Sequence, residues 1–284
     1  MSSEKRVLIV GLGLLGGSYA MGLTQKGWQV DAIDLDEYAI AYAKERGIIQ
    51  NGATENFEEM IRSADRMIFA LYPAAFVSWV EQYRHLFRKG LIFTDVSGVK
   101  CGIVQPIQAM LPDGVEFIPS HPMAGREVSG VQNANTEMFR PANFIITPTD
   151  KNTAAGLAFA QVVAEDLGFA HICRLTVEEH DRMIGYVSQL THAIAVSLMC
   201  ASDRTDLAEY TGDSFRDLTR IARINDVMWS ELFLENREIL INEIDAFTDT
   251  LQKLKQHLHQ QDRESLKQMF RTSTARRAAF DKKR

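Results

Sequence analysis

Cysteine is scarce. Cys101, Cys173 and Cys200 are the only three in 284 residues, and no two of them form a C-x-x-C pair. That spacing predicts neither a disulfide framework nor a cysteine-built zinc site, no metal is expected, and the usage suits a reducing cytoplasm. A basic excess is also missing: 31 Lys and Arg stand against 37 Asp and Glu, for a net charge of −6. Such a balance argues against nucleic acid or a membrane surface as a general partner. An anionic substrate would have to find its cations locally. The first residues, Met1-Ser-Ser-Glu-Lys-Arg6, lead only into a short apolar run, so neither a signal peptide nor a spanning helix is expected. Internal repeats and low-complexity stretches are lacking as well. What remains, 46% hydrophobic and 24% charged residues, is the mix of a soluble globular chain long enough for two domains.

The N-terminal half alternates strand-like and helix-like stretches. Arg6–Val10 and Gln29–Ile33 read as buried strands, with a helix over 14–26 between them and another over 36–45 that Gly47 can cap. Further strands are predicted at 66–70, 91–93, 117–118 and 144–146, with a helix around 77–87. This alternation implies βαβ units and a doubly wound parallel sheet. After about residue 175 the pattern becomes helical. Thr176-Val-Glu-Glu179 reads as a capping box, and 203–212 as a connection. From Phe233 an apolar seam runs through Leu240, Ile244, Phe247, Leu251, Leu254 and Leu258, predicting one helix roughly 40 Å long. It serves either packing within one helical domain or a subunit interface as well. The expected architecture is an α/β Rossmann N-terminal domain (1–174) followed by an all-α domain (175–284).

The strongest local signal is Val7-Leu-Ile-Val-Gly11-Leu-Gly13-Leu14-Leu15-Gly16-Gly17. G-x-G-x-x-G between a strand and a helix is the dinucleotide-binding context. Gly11 makes the tight turn, Gly13 lets a pyrophosphate approach, and Gly16 lets the helix pack on the strand. The N–H groups that open the helix, at Leu14 and Leu15, would face the phosphates. The next strand ends at Asp34, about 20 residues on, where a carboxylate accepts from the ribose 2′-hydroxyl and repels a 2′-phosphate. NAD is therefore the expected cofactor, with Asp36 the other acid at that strand end.

Four further groups carry chemistry. His121, in Pro119-Ser-His-Pro-Met-Ala-Gly125, is held extended by Pro122 and is expected at a strand end. Spacing leaves it as a proton acceptor or a solvated loop histidine. Asp95-Val-Ser97-Gly-Val-Lys100 follows another strand. Ser97 or Lys100 would touch cofactor or substrate, or the segment is an ordinary turn. Ser188 and His192 share a helix face, as a ligand pair or a hydrogen-bonded core pair. Asp217 and Arg220 are three apart on another helix, a carboxylate-binding fork or a surface ion pair.

Taken in order, these segments resemble the prephenate/arogenate dehydrogenase family. The likeness runs through Gly11-Leu-Gly-Leu-Leu-Gly-Gly-Ser18, His121-Pro-Met-Ala-Gly125 with Glu127 and Gly130, Glu179-His-Asp181, Ser188-x-x-x-His192 and Phe215-Arg-Asp-Leu-Thr-Arg-Ile-Ala222. The resemblance implies a homodimer joined by C-terminal helices, and catalysis between a Rossmann and a helical domain. It also implies NAD-dependent oxidative decarboxylation of prephenate, in tyrosine biosynthesis. On that reading His121 hydrogen-bonds the ring hydroxyl and assists its deprotonation, Ser97 supplies a hydroxyl beside it, and Arg220 holds a substrate carboxylate. His192 meets the side chain, and Glu127, Ser188 and Asp217 line the substrate. Many members read Gly-Ser-Val-Lys where this chain has Ser97-Gly98-Val99-Lys100, and Ser-His-Leu-Pro-His where it has Ser188-Gln189-Leu-Thr-His192. Arg126 stands where a small hydroxyl residue is frequent. Neither an appended regulatory domain nor a preceding chorismate mutase segment is expected. Arogenate dehydrogenase and a non-catalytic NAD(H)-sensing dimer are the alternatives.

Asp34→Ser should narrow the preference for NAD over NADP, measured as the ratio of the two Kd values. An unchanged ratio would remove Asp34 from the ribose contact.

Overall fold

The N-terminal aliphatic runs show no polar alternation, so they need cover on both faces, as a parallel sheet between helices provides. The computed structural model describes residues 5–280. Among them β1 (Arg6–Val10), β2 (Gln29–Ile33), β3 (Asn51–Ala53), β4 (Arg66–Phe69), β5 (Ile92–Asp95) and β6 (Glu116–Ile118) form one parallel sheet in the order β3-β2-β1-β4-β5-β6. This is the doubly wound order, with its switch point between β1 and β4. Val7 and Ile9 join the core on one face of the sheet, and Leu8 and Val10 the core on the other. The second core is rich in aromatic rings, with Phe93 stacked on Phe117 at 5.0 Å.

Helices α1 (Leu14–Gln25), α2 (Glu37–Glu45), α3 (Glu58–Ser63), α4 (Pro73–Tyr83) and α5 (Val104–Met110) connect the strands. α4 begins four residues before the expected start because Pro73 sits in its first turn, where a missing N–H costs nothing. Three short strands escape the sequence pattern: β3, β7 (Ser120–Pro122) and β9 (His171–Arg174). With three or four residues each, they are too short to show a period. β7 pairs antiparallel with β8 (Asn143–Ile146), which pairs parallel with β9 after α6 (Ala154–Leu167). His121 therefore lies inside a strand, opposite Ile145, rather than past the end of one.

Beyond Thr176 the chain is helical. The capping box forms as read: Thr176 accepts from the Glu179 amide, and Glu179 accepts from the Thr176 amide. α7 (Val177–Ile184) runs into a π-helical segment, Gly185–Leu190, and then into α8 (Thr191–Cys200). By length and composition the run Val177–Cys200 would suffice to cross a membrane. α9 (Asp213–Thr219) and α10 (Asp226–Glu235) follow, the stretch before them being a loop with a single 3-10 turn.

The single long helix expected from Phe233 is interrupted. Phe233 belongs to α10, and α11 (Arg237–His259) starts afresh after Asn236. The cause is a buried side chain: Asn236 donates to the Asp181 carbonyl at 3.0 Å and to Gln189 Oε1 at 2.7 Å. α11 has 23 residues, about 35 Å at 1.5 Å each. By contacts the chain separates into one unit running through Arg237 and a second from Glu238, made of most of α11 and of α12 (Arg263–Arg277). Ile244, Phe247, Leu251 and Leu258 of the seam are exposed.

Thr176→Ala removes one half of the capping box. It should cost about 1 kcal/mol, read as a lower urea midpoint at unchanged m-value.

Candidate active site

The glycine loop fits a dinucleotide. Gly11 has φ +96°, and a Cβ there would come within 2.6 Å of the Ala70 carbonyl oxygen. At Gly16 a Cβ would run into the Gly11 carbonyl, whereas at Gly13 nothing lies within 4 Å. The loop is thus closed on the protein side and open where a phosphate would approach. Gly13 caps α1 with no side-chain hydrogen bond, and the first turn carries no acid, so the first N–H groups of the helix are left for an anion. Asp34 accepts from the Leu12 amide at 2.5 Å and the Asp36 amide at 2.8 Å. A carboxylate has about four acceptor sites, so two are left for ribose hydroxyls. Asp36 is spent as the N-cap of α2, accepting from the Tyr38 amide. That separates the two acids which the sequence left side by side.

At the carboxyl ends of β5 and β6 the structure builds a chain of three side chains. Asp181 Oδ1 lies 2.6 Å from His180 Nδ1, and His180 Nε2 lies 2.9 Å from His121 Nδ1. Asp181 also accepts from the amides of Lys100, at 2.8 Å, and Cys101, at 2.6 Å. Burial pushes its carboxyl up, but the hydrogen bonds from His180 and Cys101 outweigh this and hold it below the usual range. His180 falls below the ordinary histidine value. Burial is the largest cause, followed by the opposing Asp181 hydrogen bond and then the Lys100 charge. His121 falls well below it, through burial, then His180, then Lys100.

The hydrogen-bond partners set the tautomers. Ionised Asp181 accepts only, so His180 carries its proton on Nδ1 and offers a bare Nε2. His121 then donates from Nδ1 and keeps a bare Nε2, which has no protein hydrogen bond among the described residues. Sequence reasoning quoted His180 and Asp181 only within the family likeness. Their signal was positional: they precede buried Ile184 by four and three residues, on the inner stripe of α7.

Arg220 and Glu127 meet at 2.5 Å, with side chains 65% and 39% exposed. Asp217 has no ion pair with Arg220 among the described residues, because Arg220 opens a 3-10 turn after α9 and turns to Glu127. His192 stacks on Trp229 with ring centroids 3.6 Å apart, and its Nδ1 donates to the Ser188 carbonyl at 2.9 Å. That carbonyl also accepts from the Thr191 amide and hydroxyl, so Ser188 contributes backbone, not hydroxyl, to the pair. Burial lowers His192, the Ser188 bond and Glu127 raise it, and Arg220 lowers it, for a net fall. Trp229 is a contact that no local pattern announces. α10 presents Trp229 to His192 and, three residues on, Leu232 beside Gly98 and His121. One helix face thereby joins the two histidine clusters.

The loop after β5 differs from expectation. Ser97 Oγ is buried without a partner and makes no hydrogen bond to His121. At Gly98 a Cβ would lie 3.7 Å from His121 Nε2. Lys100 does not face a ligand: it is fully buried, bonded to Asp95 Oδ2 at 2.7 Å and to the Ser120 carbonyl at 2.6 Å. Gln189 is also internal, donating to the Leu232 carbonyl. Among the described residues no group of three or more His, Cys, Asp or Glu could hold a metal.

A dinucleotide cradle and an oriented imidazole, both past the carboxyl ends of strands of one parallel sheet, fit an NAD-dependent dehydrogenase. The family model described as prephenate dehydrogenase, nucleotide-binding domain, matches residues 19–173, and the one described as prephenate dehydrogenase, dimerization domain, matches 176–272. The chain belongs to the prephenate dehydrogenase family. It is 29% identical to prephenate dehydrogenase of Bacillus subtilis, over 94% of this chain and 74% of that one. It is 28% identical to cyclohexadienyl dehydrogenase of Zymomonas mobilis, over 99% and 97%. The crystal structure of prephenate dehydrogenase from A. aeolicus in complex with hydroxyphenyl propionate and NAD+ is similar, with a TM-score of 0.89 and 30% identity over 98% and 99% of the two chains.

Asp181→Asn keeps the size of the side chain but can donate to His180 and reverse the relay. Turnover should fall by ~10²–10⁴-fold, the worth of a positioned base, with little change in the KM for NAD. Steady-state kinetics checks both.

Proposed function

We propose that this chain catalyses NAD-dependent oxidative decarboxylation of prephenate to 4-hydroxyphenylpyruvate and CO2, with His121 as the proton acceptor. The observation that carries the reading is the Asp181–His180–His121 chain, which occupies Nδ1 of His121 and leaves its Nε2 without a protein partner among the described residues. Bound NAD supplies the hydride acceptor. His121 Nε2 takes the proton of the ring hydroxyl. The resulting imidazolium donates from Nδ1 to His180 Nε2, and the Asp181 carboxylate, one ring away, offsets its charge. Loss of the ring carboxylate as CO2 leaves an aromatic ring, which supplies much of the driving force. The protein's share is orientation, proton removal and retention of a dianion.

On this reading Arg220 takes a substrate carboxylate. Glu127 engages only its Nη1, and a guanidinium has five N–H donors. Glu127, Ser188, His192 and Asp217 are the other proposed substrate contacts, Ser97 stands near the site, and Gly11, Gly13, Leu14, Leu15, Gly16 and Asp34 hold NAD. The division near residue 175 is supported by the two matched family models, which meet between 173 and 176. The exposed seam of α11 supports a homodimer. The apolar run Val177–Cys200 carries His180 and Asp181 of the site, so its exposed side chains suit a second chain better than lipid. Free Cys101, Cys173 and Cys200 suit the cytoplasm.

One observation favours arogenate as a second substrate. His192 donates from Nδ1 to the Ser188 carbonyl, so in its neutral form Nε2 is an acceptor. An acceptor suits the ammonium of arogenate, whereas the keto group of prephenate needs a donor.

Purified protein with NAD and prephenate should form NADH and CO2 in equal amounts, with arogenate assayed in parallel. His121→Asn should lower turnover by ~10²–10⁴-fold. Binding of NAD without turnover of either substrate would favour a non-catalytic sensor.

A further inference from the structure

Lys100 is the most costly side chain in the molecule to explain by packing. It is 0% exposed, so its ammonium has given up its hydration, and an apolar residue of similar volume would serve a purely structural role as well or better. Its contacts converge on the relay. Nζ donates to the Ser120 carbonyl at 2.6 Å and to Asp95 Oδ2 at 2.7 Å. Asp95 Oδ1 in turn accepts from the Ser120 amide at 2.9 Å. The ion pair thus grips Ser120 by both its N–H and its C=O, one residue ahead of His121. The backbone amide of Lys100 donates to Asp181, one residue after His180. A single residue therefore braces the supports at both ends of the imidazole pair.

We propose that Lys100 is a positioning residue for His121: with Asp95 it grips Ser120, and through its own amide it ties down Asp181, holding β7 and α7 in register for the imidazole pair. The inference rests on His121 being the proton acceptor. The groups facing the pair are His180 and Asp181 from α7, Asp95 from β5 and Lys100 from the loop after it. Among them Lys100 is the cation: burial lowers its proton affinity, and the Asp95 and Asp181 carboxylates oppose that fall. Lys100 acts on His121 together with burial and His180, all three lowering its proton affinity, with no carboxylate acting directly on that ring. The sign follows. A base held neutral remains competent into mildly acidic solution, and removing the cation raises the pH at which activity is lost. A merely structural ion pair would alter stability without altering that limb.

The test uses Lys100→Met and the charge-neutral double variant Asp95→Asn/Lys100→Met in the full-length protein. The ratio of kcat/KM at pH 6 to that at pH 8 should fall by roughly fivefold or more in both. A variant that keeps the wild-type unfolding midpoint and NAD affinity, and also the wild-type acid limb, would overturn the proposal. Should neither variant fold, NMR of wild-type protein carrying isotope-labelled histidine decides, without cofactor or turnover. His121 should be neutral, protonated on Nδ1, throughout mildly acidic solution. Titration of that ring in the ordinary histidine range would refute the inference. An inactive His121→Asn beside an unshifted Lys100→Met removes the Lys100 inference alone, whereas normal turnover in His121→Asn removes the function reading with it.

Discussion

The polarity of the site is set at the Asp181 carboxylate. This group is 1% exposed, yet it is ionised because three N–H donors converge on it: His180 Nδ1 and the amides of Lys100 and Cys101. An anion that can only accept dictates where the next proton must sit, and the constraint propagates through two rings to Nε2 of His121. The two backbone bonds also join α7 to the loop after β5. The bonds that close the fold at this point therefore orient the reacting nitrogen, and a loss of local packing would show as a loss of catalytic geometry.

The nucleotide half was legible in the sequence because its signals are local. Four-residue aliphatic runs, a glycine turn and a strand-end acid each occupy a short window, and the doubly wound order follows from them. β7 and β9 were not legible, since three or four residues hold no period. The seam from Phe233 read as one helix because Phe233, Leu240 and Ile244 keep the spacing. The break at Asn236 depends on partners 47 and 55 residues away, Gln189 and Asp181. The site divides in the same way. His121 stood out by its prolines and its strand context. His180 was silent, since a histidine beside an aspartate is commonplace until a second imidazole from another element lies 2.9 Å away. Lys100 misled for a related reason, as a lysine past a strand end reads as a ligand cation until its buried partner Asp95 is seen.

Charge is managed locally throughout. With a net charge of −6, the chain has no general attraction for a dianion. Arg220 meets Glu127 at an exposed position, where an ion pair is weak and readily exchanged for another carboxylate. Lys100, by contrast, is sealed against Asp95 and is unavailable to solutes. One cation can trade partners and the other cannot. At the cofactor end the anion of Asp34 is similarly committed in part to the loop it faces.

The π-helical segment Gly185–Leu190 carries an evolutionary consequence. His180 and His192 are twelve residues apart, which in an unbroken α-helix would point them roughly 120° apart around the axis. A π-bulge accommodates one extra residue in the same number of turns. The effective separation becomes eleven, and the two imidazoles come to within about 20° of a common face. Deleting any one residue of that segment would regularise the helix without harming its hydrogen bonding. The shortened helix would hold the two histidines eleven residues apart and still within about 20° of a common face, whereas straightening the segment at full length would carry His192 roughly 100° away.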